Sequence, residues 1–407
     1  MSSFSIPLTG LESSQTALNT IANNISNMNT TSFKSQNANF SDLFYQELGT
    51  TGSGNLIEVG AGTKVSSTST DYTQGTISST GSVEDVAING NGFFVVQNAS
   101  GTEYTRDGSF TLDSSGNLVT QSGQQVMGYS ATNGVVNTNG ALSAVQIPES
   151  VEQPAASSTM SISANLDSSA AIGDTYSAPI TLYDSLGASY SASVTFTKTA
   201  NQTWDYSIAL PSGDATGGSN LTGTLTFDSN GNLSSPAADV SGITFTGLTD
   251  GATDMGLTWN LYGSSGTGTI TQVDSDSSVA STTQNGYTSG TYKSFAIDSD
   301  GVITVSYNNG ETATVGQLAL ATVTNLQGLK LGADGNYQTT TASGTASIGV
   351  AGSGGRGTIE DEALEGSNVD ISTEFSKLIE QQQAFGASSK AITTFDTLAQ
   401  ETINMIH

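Results

Sequence analysis

Few residues in this chain are of a type and spacing that could do chemistry. Gly352, Gly354 and Gly357 reproduce the G-x-G-x-x-G spacing that lets a backbone approach a pyrophosphate. No apolar helix pattern opens behind it and no βαβ unit surrounds it, so the stretch from Ala351 to Gly357 reads as a flexible linker. Asp298-Ser299-Asp300-Gly301 resembles the opening of a calcium loop, but the twelfth position falls on Asn309 rather than Glu. Flanking helix patterns are missing too, which favours a hairpin turn. His407 is the one histidine and there is no cysteine, so His-based triads, thiolate metal sites and disulfides lack material. Carboxylate pairs for glycoside hydrolysis stay open as a class, although Asp among Gly and Ser is chiefly a turn former. No cofactor and no metal is implied.

The elements around these residues point to assembly instead. Both ends of the chain read as amphipathic helices with an apolar residue every seven positions: Phe4, Leu11, Leu18 and Ile25, then Ile371, Leu378, Phe385, Ile392, Ala399 and Ile406. Ile21 and Met28 flank the first row. Sustained seven-residue spacing holds one seam toward a partner helix. The natural partners are the other terminus and identical copies of the chain. A lone stripe of this kind has nowhere to bury, so both termini are expected to be largely disordered in a free monomer. Pro7 sits near the first helix's start, and Asn23, Asn24, Asn27 and Asn29 weaken its end. These asparagines either satisfy helix ends, bond across subunits, or simply stop the helix.

Composition agrees. The chain has 407 residues, room for two or three domains, and a net charge of -27 from nine basic and thirty-six acidic residues. Nucleic acid and anionic membranes need positive charge and are poor partners. Charged residues make up only 11%, and the first forty-one residues carry just Glu12 and Lys34, which limits repulsion between associating copies. No apolar run approaches a membrane span, and Met-Ser-Ser-Phe-Ser is not the start of a signal peptide. The composition nevertheless looks extracellular, which requires export without a cleaved signal.

Residues 1–30 read as the N-terminal axial segment, helical over 8–28, and 31–75 as an extended linker or interface segment. From about Val83 the pattern is β, punctuated by one recurring turn: Asp113–Asn117, Asp228–Asn232, Asp298–Gly301 and Ala333–Asn336. Regularly spaced strands with such turns favour sandwiches or barrels. Residues 149–285 hold both tryptophans, Trp204 and Trp259, and thirteen acidic residues against one basic, Lys198. They read as an outer β domain inserted in a first β domain formed by 76–148 and 286–350. Residues 351–367 read as a linker and 368–407 as the C-terminal helix. The expected fold is mainly β with α-helical termini that pair as a coiled coil.

Three segments resemble the bacterial flagellar rod and hook axial proteins. Ala17 to Lys34 (ALNTIANNISNMNTTSFK) is similar to their N-terminal signature, and Glu365 to Phe375, continuing through Ile392 to Asp396, to their C-terminal one. Val86–Val96 and Tyr104–Phe110 resemble the family's first β domain. The signature often carries Gly where this chain has Ser32, and a mixed polar and basic run where it has Gln381 to Gln383.

The resemblance implies a structural, non-enzymatic subunit. The long insertion at 149–285 implies the hook, a flexible universal joint, rather than the shorter rod or hook-junction proteins; a secreted β-rich adhesin or hydrolase is a more distant alternative. It implies passage through the flagellar export apparatus and head-to-tail stacking in a helical tube on the flagellum, with rod, hook cap and hook-filament junction proteins as partners. The assembly interface would comprise Leu11, Leu18, Ile21, Asn23, Asn24, Ile25, Asn27, Asn29 and Phe33. Ser367, Asn368, Val369, Phe375, Leu378, Phe385, Ile392 and Phe395 would join it from the other end.

Overall fold

The computed structural model describes residues 5–44, 46–50, 56–99, 101–263 and 265–406. Phe4 of the first apolar row and His407 lie outside them. Two helices frame a β-rich chain: α1, Ser5–Ser26, and α2, Ile371–Ile406. Asp370 stands at the N-cap of α2, its Oδ1 accepting the Thr373 N–H at 2.7 Å.

The chain separates into two compact units. The first comprises Met1–Pro148, Phe295–Val305 and Ala313–His407. Beyond α1, strand Gln36–Asp42 pairs antiparallel with Thr63–Thr70, and Gln46–Thr50 with Leu56–Val59, so the segment expected as a linker is built of paired strands. The β core centres on Phe93–Asn98, which pairs with Gly101–Thr105, Gln125–Thr132 and Leu320–Thr322. Phe93, Val95, Tyr104, Met127, Tyr129 and Tyr337 pack together there.

One sequence reading needs correction in this unit. Residues 351–367 are not a free linker. Thr358–Asp361 pairs with Val86–Asn89, and Ala363–Glu365 with Ile77–Ser79. The glycines suggested flexibility, but the short runs behind them bury Ile359, Ala363 and Glu365. The Asn89–Gly92 turn redirects the chain from a strand paired with Thr358–Asp361 to one paired with Gly101–Thr105.

The second unit comprises Glu149–Ser294 and Ser306–Thr312. A five-stranded sheet and a six-stranded sheet contribute alternating residues to one core. Thr159–Asp167 shows strict alternation of buried and half-buried positions, the mark of a sandwich strand. Trp204 and Trp259 are fully buried, and Tyr206 meets Trp259 edge-on at 5.0 Å.

Three of the recurring turns share one construction. Asp113, Asp228 and Asp298 each accept, at Oδ1, the backbone N–H groups two and four residues ahead. The glycine at the fourth position has φ of 77°, 81° and 80°, a conformation costly for any residue with a Cβ. The Asp298 carboxylate is thereby turned in on its own backbone, as a turn requires. Ala333 has no carboxylate, and that turn is a 3-10 loop with Asp334 at φ 57°.

Candidate assembly interface and the buried lock beneath it

α1 and α2 pack antiparallel. Gly10 lies against Ser388, where a Cβ would stand 3.1 Å from Oγ, and Asn24 meets Glu374. The buried face of α1 is Ser13, Ser14, Ala17, Ile21 and Asn24. Leu11, Leu18 and Ile25 are only half-buried at its margin. The face is displaced from the seven-residue row because α1 packs on strands Gln36–Asp42 and Thr63–Thr70 as well as on α2. Small serines and Ala17 permit that close approach. The helix thus has an intrachain partner on two sides, contrary to the expectation of a stripe with nowhere to bury.

On α2 the middle of the expected row faces inward, with Leu378, Phe385, Ile392 and Ala399 half-buried, while Ile371 at its start is exposed. Phe375 points outward, 50% exposed, and Phe395, 36% exposed, lies at the margin facing α1. Continuing the register set by Gly10 and Ser388, Ser5 falls opposite Thr393, so the last turns of α2 outrun α1 among the described residues. Leu398, Ile403 and Met405 are exposed at 52%, 58% and 80%. An apolar groove of about 550 Å³ opens where the helix pair meets Gly62, lined by Ile6, Pro7, Ala387, Ala391 and Phe395.

Beneath the helices lies a polar centre that sequence reasoning missed. Glu365 is 1% exposed. Its Oε1 accepts Lys34 Nζ at 2.6 Å and the Gly75 N–H at 2.8 Å; its Oε2 accepts Arg106 Nε at 3.0 Å and lies 2.9 Å from Nη2. A Cβ on Gly75 would stand 2.1 Å from the Gly366 carbonyl oxygen, so only glycine lets the two chain segments approach this far. Arg106 also donates to the carbonyls of Ile88, Gly90 and Gly92, and Lys34 to that of Thr73. Burial pushes the Lys34 ammonium and the Arg106 guanidinium below their ordinary pKa, and Glu365 opposes it in both. All three residues lie inside the quoted motifs, but nothing in their spacing shows that they meet.

The other predicted residues divide. Asn24 is fully buried: Nδ2 donates to the Gln36 carbonyl (2.8 Å) and Glu374 Oε2 (3.1 Å), while Oδ1 accepts the Gln36 N–H (2.9 Å). Asn27 donates to the Asn23 carbonyl and so closes the helix end. Asn23 and Asn29 are exposed. Asn368 Oδ1 accepts the Ser35 N–H and Nδ2 donates to the carbonyls of Asp71 and Thr73. The half-buried Phe33 accepts the Asn368 N–H at its carbonyl, and Ser367 Oγ accepts the Val369 N–H. Ser32 adopts φ 55° without being glycine; its hydroxyl donates to the Arg106 carbonyl at 2.7 Å and its N–H to that of Glu365.

A cavity of about 240 Å³ beside the lock has Lys34 and Arg106 as its charged lining, and both are engaged by Glu365. In the glycine loop, Gly352 donates to the Gly357 carbonyl, and Arg356 folds back onto the carbonyl of Val350 and the hydroxyl of Ser353. Among the described residues no three His, Cys, Asp or Glu side chains cluster as metal ligands.

Paired terminal helices locked onto a β body, with an apolar helix face left uncovered, define a structural protein built to associate. Family models match along the chain: the flagella basal body rod protein over residues 7–34, and the flagellar hook protein FlgE/F/G D1 domain over 87–165. The flagellar basal body protein FlaE D2 domain follows over 154–287, and the flagellar basal body rod FlgEFG protein C-terminal over 360–405. The chain is 34% identical to the flagellar hook protein FlgE of Escherichia coli strain K12, over 99% of each. It is 32% identical to that of Treponema pallidum, over 98% of each. The crystal structure of Helicobacter pylori flagellar hook protein FlgE2 shares the fold, at a TM-score of 0.54 and 16% identity, over 71% of this chain and 100% of that one. The chain belongs to the flagellar hook protein family.

Proposed function

We propose that the chain polymerises head to tail with identical copies into the helical tube of the bacterial flagellar hook, a flexible joint carrying torque from rod to filament. A heterologous contact of this kind grows without closing on itself. The observation that carries the reading is the apolar surface of α2 that one chain leaves uncovered: Phe375, Ile379, Leu398 and Met405 on its outward side, and Ile403 on the inward row beyond the reach of α1. Sequence similarity over the whole length of hook proteins supports the same reading. In the tube the terminal helices pack against those of neighbouring copies. Export proceeds through the flagellar apparatus without a cleaved signal; rod, hook cap and hook-filament junction proteins cover the ends of the polymer. No step of this role calls for catalysis.

The test is immunogold electron microscopy of producing cells with a small tag in the Asp228–Asn232 turn. Label confined to a short curved segment between envelope and filament supports the proposal. Label within the envelope assigns the chain to the rod, and label scattered over the cell or free in the medium removes it from the flagellum.

A further inference from the structure

The cavity of about 240 Å³ beside the lock gathers positive charge in an acidic chain. Three of the nine basic residues stand at it. Lys34 and Arg106 line it, 4% and 5% exposed. The half-buried Arg356 packs on one wall: a Cβ on the lining residue Gly354 would stand 2.9 Å from its Nη2. No Asp or Glu is part of the lining, and Tyr72, Phe93, Val323 and Leu326 give it apolar walls.

The lock does not use up the donors around this cavity. Arg106 is spent, its N–H groups going to Glu365 and to the carbonyls of Ile88, Gly90 and Gly92. Lys34 donates to Glu365 and to the Thr73 carbonyl, and its third N–H has no acceptor among the described residues. Arg356 donates to the Val350 carbonyl and the Ser353 hydroxyl but has no counter-charge. The ion pairs among the described residues are those of Lys34 and Arg106 with Glu365 and of Lys377 with Glu374. Asp71, which also acts on Lys34, and Asp300, beside Gly352, lie outside the lining and pair with no cation. Gly354 and Gly355, at φ 58° and 79°, line the cavity with N–H groups that bond to nothing among the described residues. A buried ammonium with a donor to spare, an unpaired guanidinium and two free backbone N–H groups together suit an oxyanion. The apolar walls suit a short hydrocarbon body behind it.

We infer that this cavity binds a carboxylate carried on a short aliphatic stem. Lys34 Nζ and the N–H groups of Gly354 and Gly355 would hold its oxygens, with Arg106 and Arg356 contributing charge. One chemistry has two sources here: a free small carboxylate, or an Asp or Glu side chain of a second copy. Of the thirty-six acidic residues only Glu365 and Glu374 are ion-paired among the described residues, so copies carry carboxylates to spare.

The inference does not depend on hook assembly and is tested first on the full chain as a monomer, with sodium propionate as the probe. Calorimetric titration at low ionic strength should show one saturable site per chain, with Kd of about 1–10 mM, the range open to so few atoms. At ten times Kd, propionate should raise the first unit's melting transition by about 3–5 °C, while matched sodium chloride or 1-propanol should not. Arg356→Gln leaves the lock untouched and should weaken binding about threefold or more. Leu326→Glu, at a wall position 36% exposed, supplies a carboxylate of its own. It should abolish propionate binding and raise the melting temperature, and Leu326→Gln should do neither. No saturable binding up to about 100 mM, well above the expected range, overturns the inference. So does an equal response to 1-propanol, which would make the site merely apolar. Binding unchanged in both Arg356→Gln and Leu326→Glu places the anion elsewhere and overturns it too. Assembled tubes then separate the sources. Propionate that slows tube growth identifies a neighbour's acidic side chain as the occupant. Tubes that grow normally and still bind one propionate per chain identify a free carboxylate. A chain that forms no tubes counts against assembly and leaves the monomer result standing.

Discussion

Lys34 and Glu365 stand 331 positions apart in sequence and meet at 2.6 Å, both almost completely buried. Lys34 follows α1 and Glu365 ends the last strand before α2, so one ion pair joins the chain's two exits from its β core. Arg106 makes the carboxylate shared. A single anion thus offsets two buried cations, and geometry satisfies the remainder through carbonyl oxygens.

Removing that anion should be severe. Glu365→Ala leaves both cations buried without a counter-charge and is expected to cost about 3–5 kcal/mol. Chemical denaturation monitored in the first unit reads this loss. The transition of the second unit, followed through Trp204 and Trp259 fluorescence, should stay in place.

Ser32 offers a finer test. Its left-handed backbone costs about 1–2 kcal/mol relative to glycine, and its hydroxyl bond to the Arg106 carbonyl returns about 1 kcal/mol. Ser32→Gly should therefore be neutral to mildly stabilising. Ser32→Ala keeps the strain and loses the bond, and should be the least stable of the three by about 1 kcal/mol. Melting temperatures of the three proteins give the order. Alanine equal to serine would mean the hydroxyl contributes nothing.

The sequence was legible where local chemistry decides structure. The helices were found within three residues at each predicted end, because periodicity marks both and Pro7 lies near the start of the first. The Asp turns were found because an Asp, a glycine and flanking alternation lie within five residues. Pairing across the chain was not legible. Nothing near Glu365 names Lys34 or Arg106 as its partners, and the glycines of 351–357 hid two strands behind them. The seven-residue row misplaced the buried face of α1 because that helix meets a sheet as well as a helix. A period identifies an amphipathic helix but does not count its partners.

The Asp turns also set a pH dependence. The Asn232 N–H, foremost among the turn's donors, holds the Asp228 carboxyl below its ordinary pKa. A depressed folded pKa stabilises the fold above the unfolded value, about 3.9, and the contribution is lost as pH falls through the folded one. Wild type should therefore be more stable than Asp228→Asn at neutral pH. The gap should close below about pH 4. Denaturation midpoints of both proteins across that range check the sign, and a gap that widens in acid would contradict it.

The helix faces separate folding from assembly. Ile21 is 6% exposed inside the chain, so Ile21→Asp should cost about 3 kcal/mol or more and unfold the helix pair. Phe375 and Leu398 are half exposed, and Phe375→Asp or Leu398→Asp should leave the melting temperature within about 2 °C. Those two should nonetheless abolish tube formation, because in the polymer a carboxylate would be buried against a neighbouring helix. Leu18, at the margin of the buried face, should show both effects: Leu18→Asp blocks assembly and loosens α1, while the β units stay folded. Negative-stain microscopy of tubes, paired with calorimetry of the monomer, resolves the classes. Normal tubes from Phe375→Asp and Leu398→Asp together would mean that the exposed face of α2 is not the contact between copies.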